Sequence, residues 1–134
     1  MTLHDEPLTR EVIGAFYKVF NTLGPGLPEN VYAGALEHEC RKRGLNVARE
    51  VPIAVTYDGV IVGTFRMDFL VERRLVLEIK ARPQHKDHYV QLLTYLRCSD
   101  LRLGLLLYFI TEPDVSRVMR GTAADRRGDA SWRS

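Results

Sequence analysis

Two apolar runs joined by a charged turn constrain this chain more than any other stretch. They are Phe65 to Val71 and Leu75 to Ala81, with Glu72-Arg73-Arg74 between them. Side chains alternate along a strand, so in the second run Leu77 and Ile79 face one way and Glu78 and Lys80 the other. Asp68 sits in the middle of the first run. If the two runs pair as a hairpin, Asp68, Glu78 and Lys80 come together on one surface. Two carboxylates beside one ammonium make a candidate divalent-cation site with a cationic helper. Magnesium or manganese held by Asp68 and Glu78, with a strand carbonyl near Ile79, would acidify a bound water and neutralise charge developing on a phosphate. Lys80 would hold or activate that water. The same spacing also fits a solvated sheet face carrying a Glu–Lys pair.

The rest of the chain places this hairpin in an α/β order. Val12, Ile13, Phe16, Phe20 and Leu23 recur at helical spacing, which predicts a helix over 8–23 with Thr9 as a possible N-cap and Gly24-Pro25 as its stop. A second helix is expected to start with Pro28 at its first position and to bury Val31, Tyr32, Ala35, Leu36 and Cys40. Arg41-Lys42-Arg43 fills its last turn, and Gly44 ends it. From Val47 the period changes to two, and Asp58-Gly59 is a strong hairpin signal. Pro52 marks the first strand as an edge or a bulge. The strand returning from Val60 can run on into the one that carries Asp68 or stand apart from it.

A third helix is predicted from about Lys86 to Cys98, with Tyr89, Leu92, Leu93 and Leu96 as its apolar stripe and His88, Gln91 and Tyr95 on another face. Leu101 to Ile110 reads as a strand buried on both sides. Residues 111–120 fit either a short strand or a helical turn. The helix between the Glu78 strand and the Leu103 strand is a natural right-handed crossover between parallel neighbours. The expected architecture is an α/β sandwich around a central mixed sheet flanked by helices. A chain of 134 residues is most simply one domain. That domain is placed at 1–120, with a disordered tail at 121–134 where Arg, Asp, Gly and Ala accumulate.

Composition narrows the function classes modestly. The net charge of +2 permits nucleic-acid contact without demanding it. Cys40 and Cys98 form no CxxC pair, and each falls in a predicted helix, which favours two reduced thiols over a disulfide or zinc site. The apolar setting of Cys98 predicts inert packing. No secretory signal pattern opens the chain and no apolar run is long enough to span a bilayer, so the cytoplasm is the expected compartment and no membrane partner is expected. Walker-type phosphate loops, Gly-x-Ser-x-Gly elbows and His-Glu-x-x-His are absent.

Other residues invite a functional and a structural reading side by side. Gln91 could orient a water or phosphate with Tyr95 behind it and His88 alongside, or the three could be an ordinary polar helix face. Glu29, in the first turn of the second helix, could add a third carboxylate to the metal site or simply favour the helix dipole. Tyr32, three residues on, could share that face or belong to the core.

These residues together resemble a known family. Gly26-Leu27-Pro28-Glu29-Asn30-Val31-Tyr32 fits the pattern that names the GxxExxY proteins, small prokaryotic proteins placed in the PD-(D/E)xK nuclease superfamily. The resemblance continues through Val51-Pro52-Ile53, Phe65-Arg66-Met67-Asp68, Leu77-Glu78-Ile79-Lys80, His88 to Leu96 and Leu101 to Leu106, and covers about Thr9 to Arg120. It implies a restriction-endonuclease-like core. Asp68 matches the superfamily's strand aspartate, Glu78 and Lys80 its Glu-x-Lys, Gln91 and Tyr95 a Gln-x-x-x-Tyr of the exonuclease-like branch, and Glu29 a first-helix acidic residue. Met67 stands where the superfamily expects Pro.

The function expected from this reading is a metal-dependent nuclease acting on DNA or RNA. Asp68, Glu78 and Glu29 are its expected metal ligands for Mg2+ or Mn2+, Lys80 assists attack and Gln91 joins them as a catalytic residue that places the substrate, with His88, Tyr95 and Tyr32 in support. Arg41, Lys42, Arg43, Arg73, Arg74, Arg82 and Lys86 are candidate phosphate contacts. The rival is a non-catalytic module that binds nucleic acid or a protein on the same fold. A homodimer that completes the site is a third possibility.

Overall fold

The computed structural model describes residues 6–121. The proposed C-terminal tail, Gly121 apart, lies outside the described residues. The first helix, α1, spans Glu6–Leu23. It buries Leu8, Val12, Ala15, Phe16, Val19 and Phe20 on one stripe, the three-and-four spacing that a helix needs to present an apolar face. The helix begins two residues before the predicted start, so Thr9 is not its cap. Thr9 is buried inside the first turns and its hydroxyl donates back to the Glu6 carbonyl at 3.1 Å. Gly24, in a left-handed conformation at φ 74, closes α1 by donating to the Phe20 carbonyl.

Helix α2 spans Glu29–Lys42, and Pro28 is its N-cap rather than its first residue, with extended ψ of 149. The buried positions are Tyr32, Ala33, Leu36, Glu39 and Cys40, while Val31 stays exposed. Strands β1 (Val47–Tyr57) and β2 (Val60–Val71) form the long hairpin that Asp58-Gly59 announces. Asp58 and Gly59 both have positive φ, as the tight hairpin turn requires. Strand β3 covers Leu75–Lys80, helix α3 Lys86–Ser99, strand β4 Leu103–Tyr108 and strand β5 Asp114–Met119. The uncertain segment after residue 110 is therefore a strand.

The sheet has five strands in the order β1-β2-β3-β4-β5. The β3–β4 pair is parallel and the others are antiparallel. This is an α/β, restriction-endonuclease-like mixed sheet flanked by helices, with Pro52 on an edge strand as expected. All six residues of β3 and of β4 are buried, because α1 and α2 cover one face and α3 the other. Phe16, Tyr32 and Phe109 anchor the first layer and Leu92, Leu93 and Leu96 the second. Two expectations about α3 fail. Tyr89 is exposed, and the buried positions beside the leucines are His88 and Tyr95. Cys98 is exposed, whereas Cys40 is the packed thiol, its pKa pushed up to about 11 by burial.

Candidate active site

The site forms where β2 and β3 part. Their ladder runs only from Val71↔Leu75 to Phe69↔Leu77. Phe69 packs in the α1–α2 layer, whereas Met67 packs under α3. Strict alternation would put these two side chains on one face, so the hairpin changes faces at Asp68. Across the hairpin lies Glu50, whose left-handed φ of 52 marks the same change in β1. At this divergence the backbone loses its ladder partners, and two carboxylates replace them. The Asp68 N–H donates to Glu78 Oε1 at 3.2 Å, and the Ile79 N–H donates to Asp68 Oδ2 at 3.0 Å. The pairing that brings Asp68 to Glu78 is thus part of the fold itself.

Burial sets the electrostatics. Glu78 is 2% exposed and Lys80 7%, so these side chains do not form a solvated face. Burial pushes the Glu78 carboxyl up to about 8, and the neighbouring Asp68 charge pushes the same way. The Asp68 N–H and the Lys80 ammonium oppose that rise without cancelling it. Lys80 Nζ lies 3.9 Å from Glu78 Oε2 and donates to Gln91 Oε1 at 3.3 Å. Gln91 Nε2 donates to the Tyr95 hydroxyl at 2.8 Å. The phenol pKa is raised, first by burial and then by the Glu78 charge.

These groups line a cavity of about 390 Å3 bordered by Glu29, Asn30, Ala33, Arg49, Glu50, Arg66, Asp68, Glu78, Ile79, Lys80, Gln91 and Tyr95. Six of the sequence candidates therefore meet in one place: Glu29, Asp68, Glu78, Lys80, Gln91 and Tyr95. Two supporting candidates do not line it. Tyr32 is wholly buried, stacks on Phe109 with ring centroids 4.4 Å apart, donates to the Gly24 carbonyl and accepts from the Leu27 N–H. It holds the loop that delivers Glu29 and does not itself reach the cavity. His88 is buried against Tyr108, with Nδ1 3.0 Å from the phenol oxygen, and burial followed by the Lys80 charge lowers its pKa.

None of the seven basic candidates lines this cavity. Arg41 pairs with Glu37 and donates to the Val47 carbonyl, while Lys42 and Arg43 pair with Glu39. Arg73 shares a separate cleft with Arg41. Arg74 follows it in the β2–β3 turn. Arg82 and Lys86 border clefts at the start of α3. Beside Lys80, the basic residues at the site are Arg49 and Arg66, which sequence reasoning missed along with Asn30 and Glu50. Arg66 stands two positions before Asp68, and that proximity was the one available signal.

The donor chemistry suits a divalent cation. Asp68 and Glu78 offer hard carboxylate oxygens, and their mutual repulsion in a buried setting is what a cation would relieve. The hydrogen bonds use Oδ2 and Oε1, so Oδ1 and Oε2 are the atoms able to turn to an ion. Among the described residues no three His, Cys, Asp or Glu side chains converge as a ready ligand cluster. Glu29 thus borders the cavity without joining the pair, although its charge is felt at Glu78. A pair of carboxylates completed by waters is a sufficient holder for magnesium, which keeps much of its hydration shell.

Comparisons with known proteins bear on the fold and the family. Residues 6–119 match the family described as the PD-(D/E)XK nuclease superfamily. The crystal structure of SSO0001 resembles this chain with a TM-score of 0.57 at 21% identity, over 74% of this chain and 55% of that one. This chain thus spans little more than half the length of that protein, and the likeness is one of fold. No curated protein matches. No helix among the described residues is long and apolar enough to cross a membrane.

Proposed function

The chain belongs to the PD-(D/E)XK nuclease superfamily, and from that premise we propose that it is a metal-dependent nuclease that hydrolyses phosphodiester bonds of DNA or RNA. The observation that carries the reading is the convergence of half-buried Asp68 with buried Glu78 and Lys80 where β2 and β3 part. Within the superfamily, Glu29 at the cavity and Tyr32 behind it support placement with the GxxExxY proteins.

Asp68 and Glu78 would hold Mg2+ or Mn2+, and the ion would supply charge for the phosphate oxygens and a more acidic bound water. The Lys80 ammonium projects beside the carboxylates, where it can hold the attacking water or stabilise charge on the phosphorus-bound oxygens. Gln91 accepts from Lys80 through Oε1 and is itself oriented by Tyr95, so the amide fixes where the ammonium points. Glu78 works as a carboxylate, and the rise in its pKa on burial makes its ionisation depend on a nearby positive charge. Glu29, across the cavity, offers a further acidic group that can orient a water.

The test is cleavage of single- and double-stranded DNA and RNA in magnesium or manganese. Wild type should produce fragments that a chelator suppresses, and Glu78→Gln and Lys80→Met should be inactive while folded. Cleavage surviving in both variants would sink the reading.

A further inference from the structure

Two lining arginines have no task in that mechanism. Arg49 and Arg66 stand on opposite strands of the β1–β2 hairpin and border the cavity on either side of Asp68 and Glu50. Arg49 is fixed in place: Nη1 donates to Glu37 Oε1 at 2.9 Å, and the guanidinium lies 4.7 Å from the centre of the Phe69 ring. Its Nε is buried and makes no hydrogen bond, a donor that folding has desolvated without giving it a partner. Arg66 Nη1 donates to Glu50 Oε1 at 3.2 Å, with the two side chains 67% and 61% exposed. Such an exposed pair holds weakly and exchanges readily. Glu50 is presented from a left-handed residue at φ 52, a conformation that non-glycine residues adopt at a cost and that tends to collect at working sites. Each guanidinium therefore meets a carboxylate, an anion that shares with phosphate the paired oxygens a guanidinium fork recognises.

We infer that Arg49 and Arg66 form a phosphate-binding subsite beside the Asp68–Glu78 pair, one that takes the nucleic-acid phosphate adjacent to the one being cut. This rests on the nuclease reading. Arg49 is the preorganised half of the subsite. Arg66 is the exchangeable half, and Glu50 is the internal competitor that an incoming phosphate displaces. The hairpin then does two jobs: its change of faces at Asp68 places one carboxylate at the metal, and the residues flanking that change supply the cations that grip the strand.

The experiment is fluorescence anisotropy of short labelled oligonucleotides, single-stranded and duplex, DNA and RNA, with calcium in place of magnesium. The tightest-binding probe is then carried through the variants. Arg66→Ala should weaken binding about tenfold and flatten its salt dependence by about one counterion. Arg49→Lys, which keeps the charge and loses the fork, should also weaken binding. Glu50→Asn should tighten it, because the substitution removes the competing carboxylate and suits the left-handed backbone. Opposite signs at Arg66 and Glu50 are not produced by a general loosening of the fold, and both residues are exposed enough to leave thermal unfolding unchanged. If wild type binds and these variants bind equally, the subsite is overturned while the nuclease reading stands. If wild type binds none of the probes, the nuclease reading fails and the subsite fails with it.

Discussion

Asp68 and Glu78 stand in for each other's missing strand: the Asp68 amide donates to Glu78 Oε1 at 3.2 Å, just where the β2–β3 ladder has ended. The Ile79 amide returns the arrangement by donating to Asp68 Oδ2 at 3.0 Å. Two carboxylates are thereby held together in a buried place, against their repulsion, by backbone donors that would otherwise be orphaned. The consequences can be measured.

The first is a stability cost at high pH. Glu78 has an ordinary carboxyl value of 4.5 in the unfolded chain and about 8 in the fold. Between those values the folded state keeps a proton that the unfolded state has released. The stabilisation is complete below 4.5 and is lost as pH rises through about 8. Its size is on the order of a few kcal/mol. His88 runs the other way: its lowered pKa means its contribution is lost as pH falls. Urea unfolding at about pH 5 and about pH 9 should show a smaller alkaline loss in Glu78→Gln than in wild type. An identical pH dependence in the two proteins would show that Glu78 is ionised normally.

A second prediction concerns the line from Lys80 through Gln91 to Tyr95. Gln91 touches the ammonium and Tyr95 touches only the amide. Gln91→Ala should lower kcat by about ten- to a hundredfold with little change in KM, because positioning is lost while binding is not. Tyr95→Phe should give a smaller loss of the same kind. A rise in KM with kcat intact would instead make Gln91 a substrate contact.

The third concerns Tyr32. Its hydroxyl accepts from the Leu27 N–H at 3.2 Å and donates to the Gly24 carbonyl, while its ring stacks on Phe109. Tyr32→Phe keeps the stack and leaves those loop groups unsatisfied. Denaturant unfolding should show a loss of about 1–3 kcal/mol. Full stability in the variant would mean that the loop before Glu29 is held by something else.

Much of this fold was readable because its elements announce themselves locally. Asp58-Gly59 fixes the hairpin, Pro52 marks an edge strand, and the apolar run at Leu103 to Tyr108 needs cover on both sides. The Asp68, Glu78 and Lys80 cluster was readable from alternation in β3 and the turn at Glu72. What stayed hidden depends on packing between elements. His88 is buried because Tyr108, on β4, receives it, and no period in α3 reveals that. Arg49 and Arg66 reach the cavity because β1 and β2 change faces together at Glu50 and Asp68, a tertiary event that strict alternation cannot anticipate. Arg41, Lys42 and Arg43, expected as phosphate contacts, pair with Glu37, Glu39 and Glu11 within the helical layer, away from the cavity. Thr9 looked like a cap because cap-forming residues also occur inside first turns, where the hydroxyl returns to a carbonyl.

The most direct test of the central claim is a calorimetric titration of manganese into wild type and into Glu78→Ala. Wild type should bind saturably and release protons near neutral pH, since an ion held by Glu78 must displace the proton that burial keeps there. Glu78→Ala should lose that binding. Manganese bound equally by both proteins, or by neither, would contradict the placement of a metal between Asp68 and Glu78.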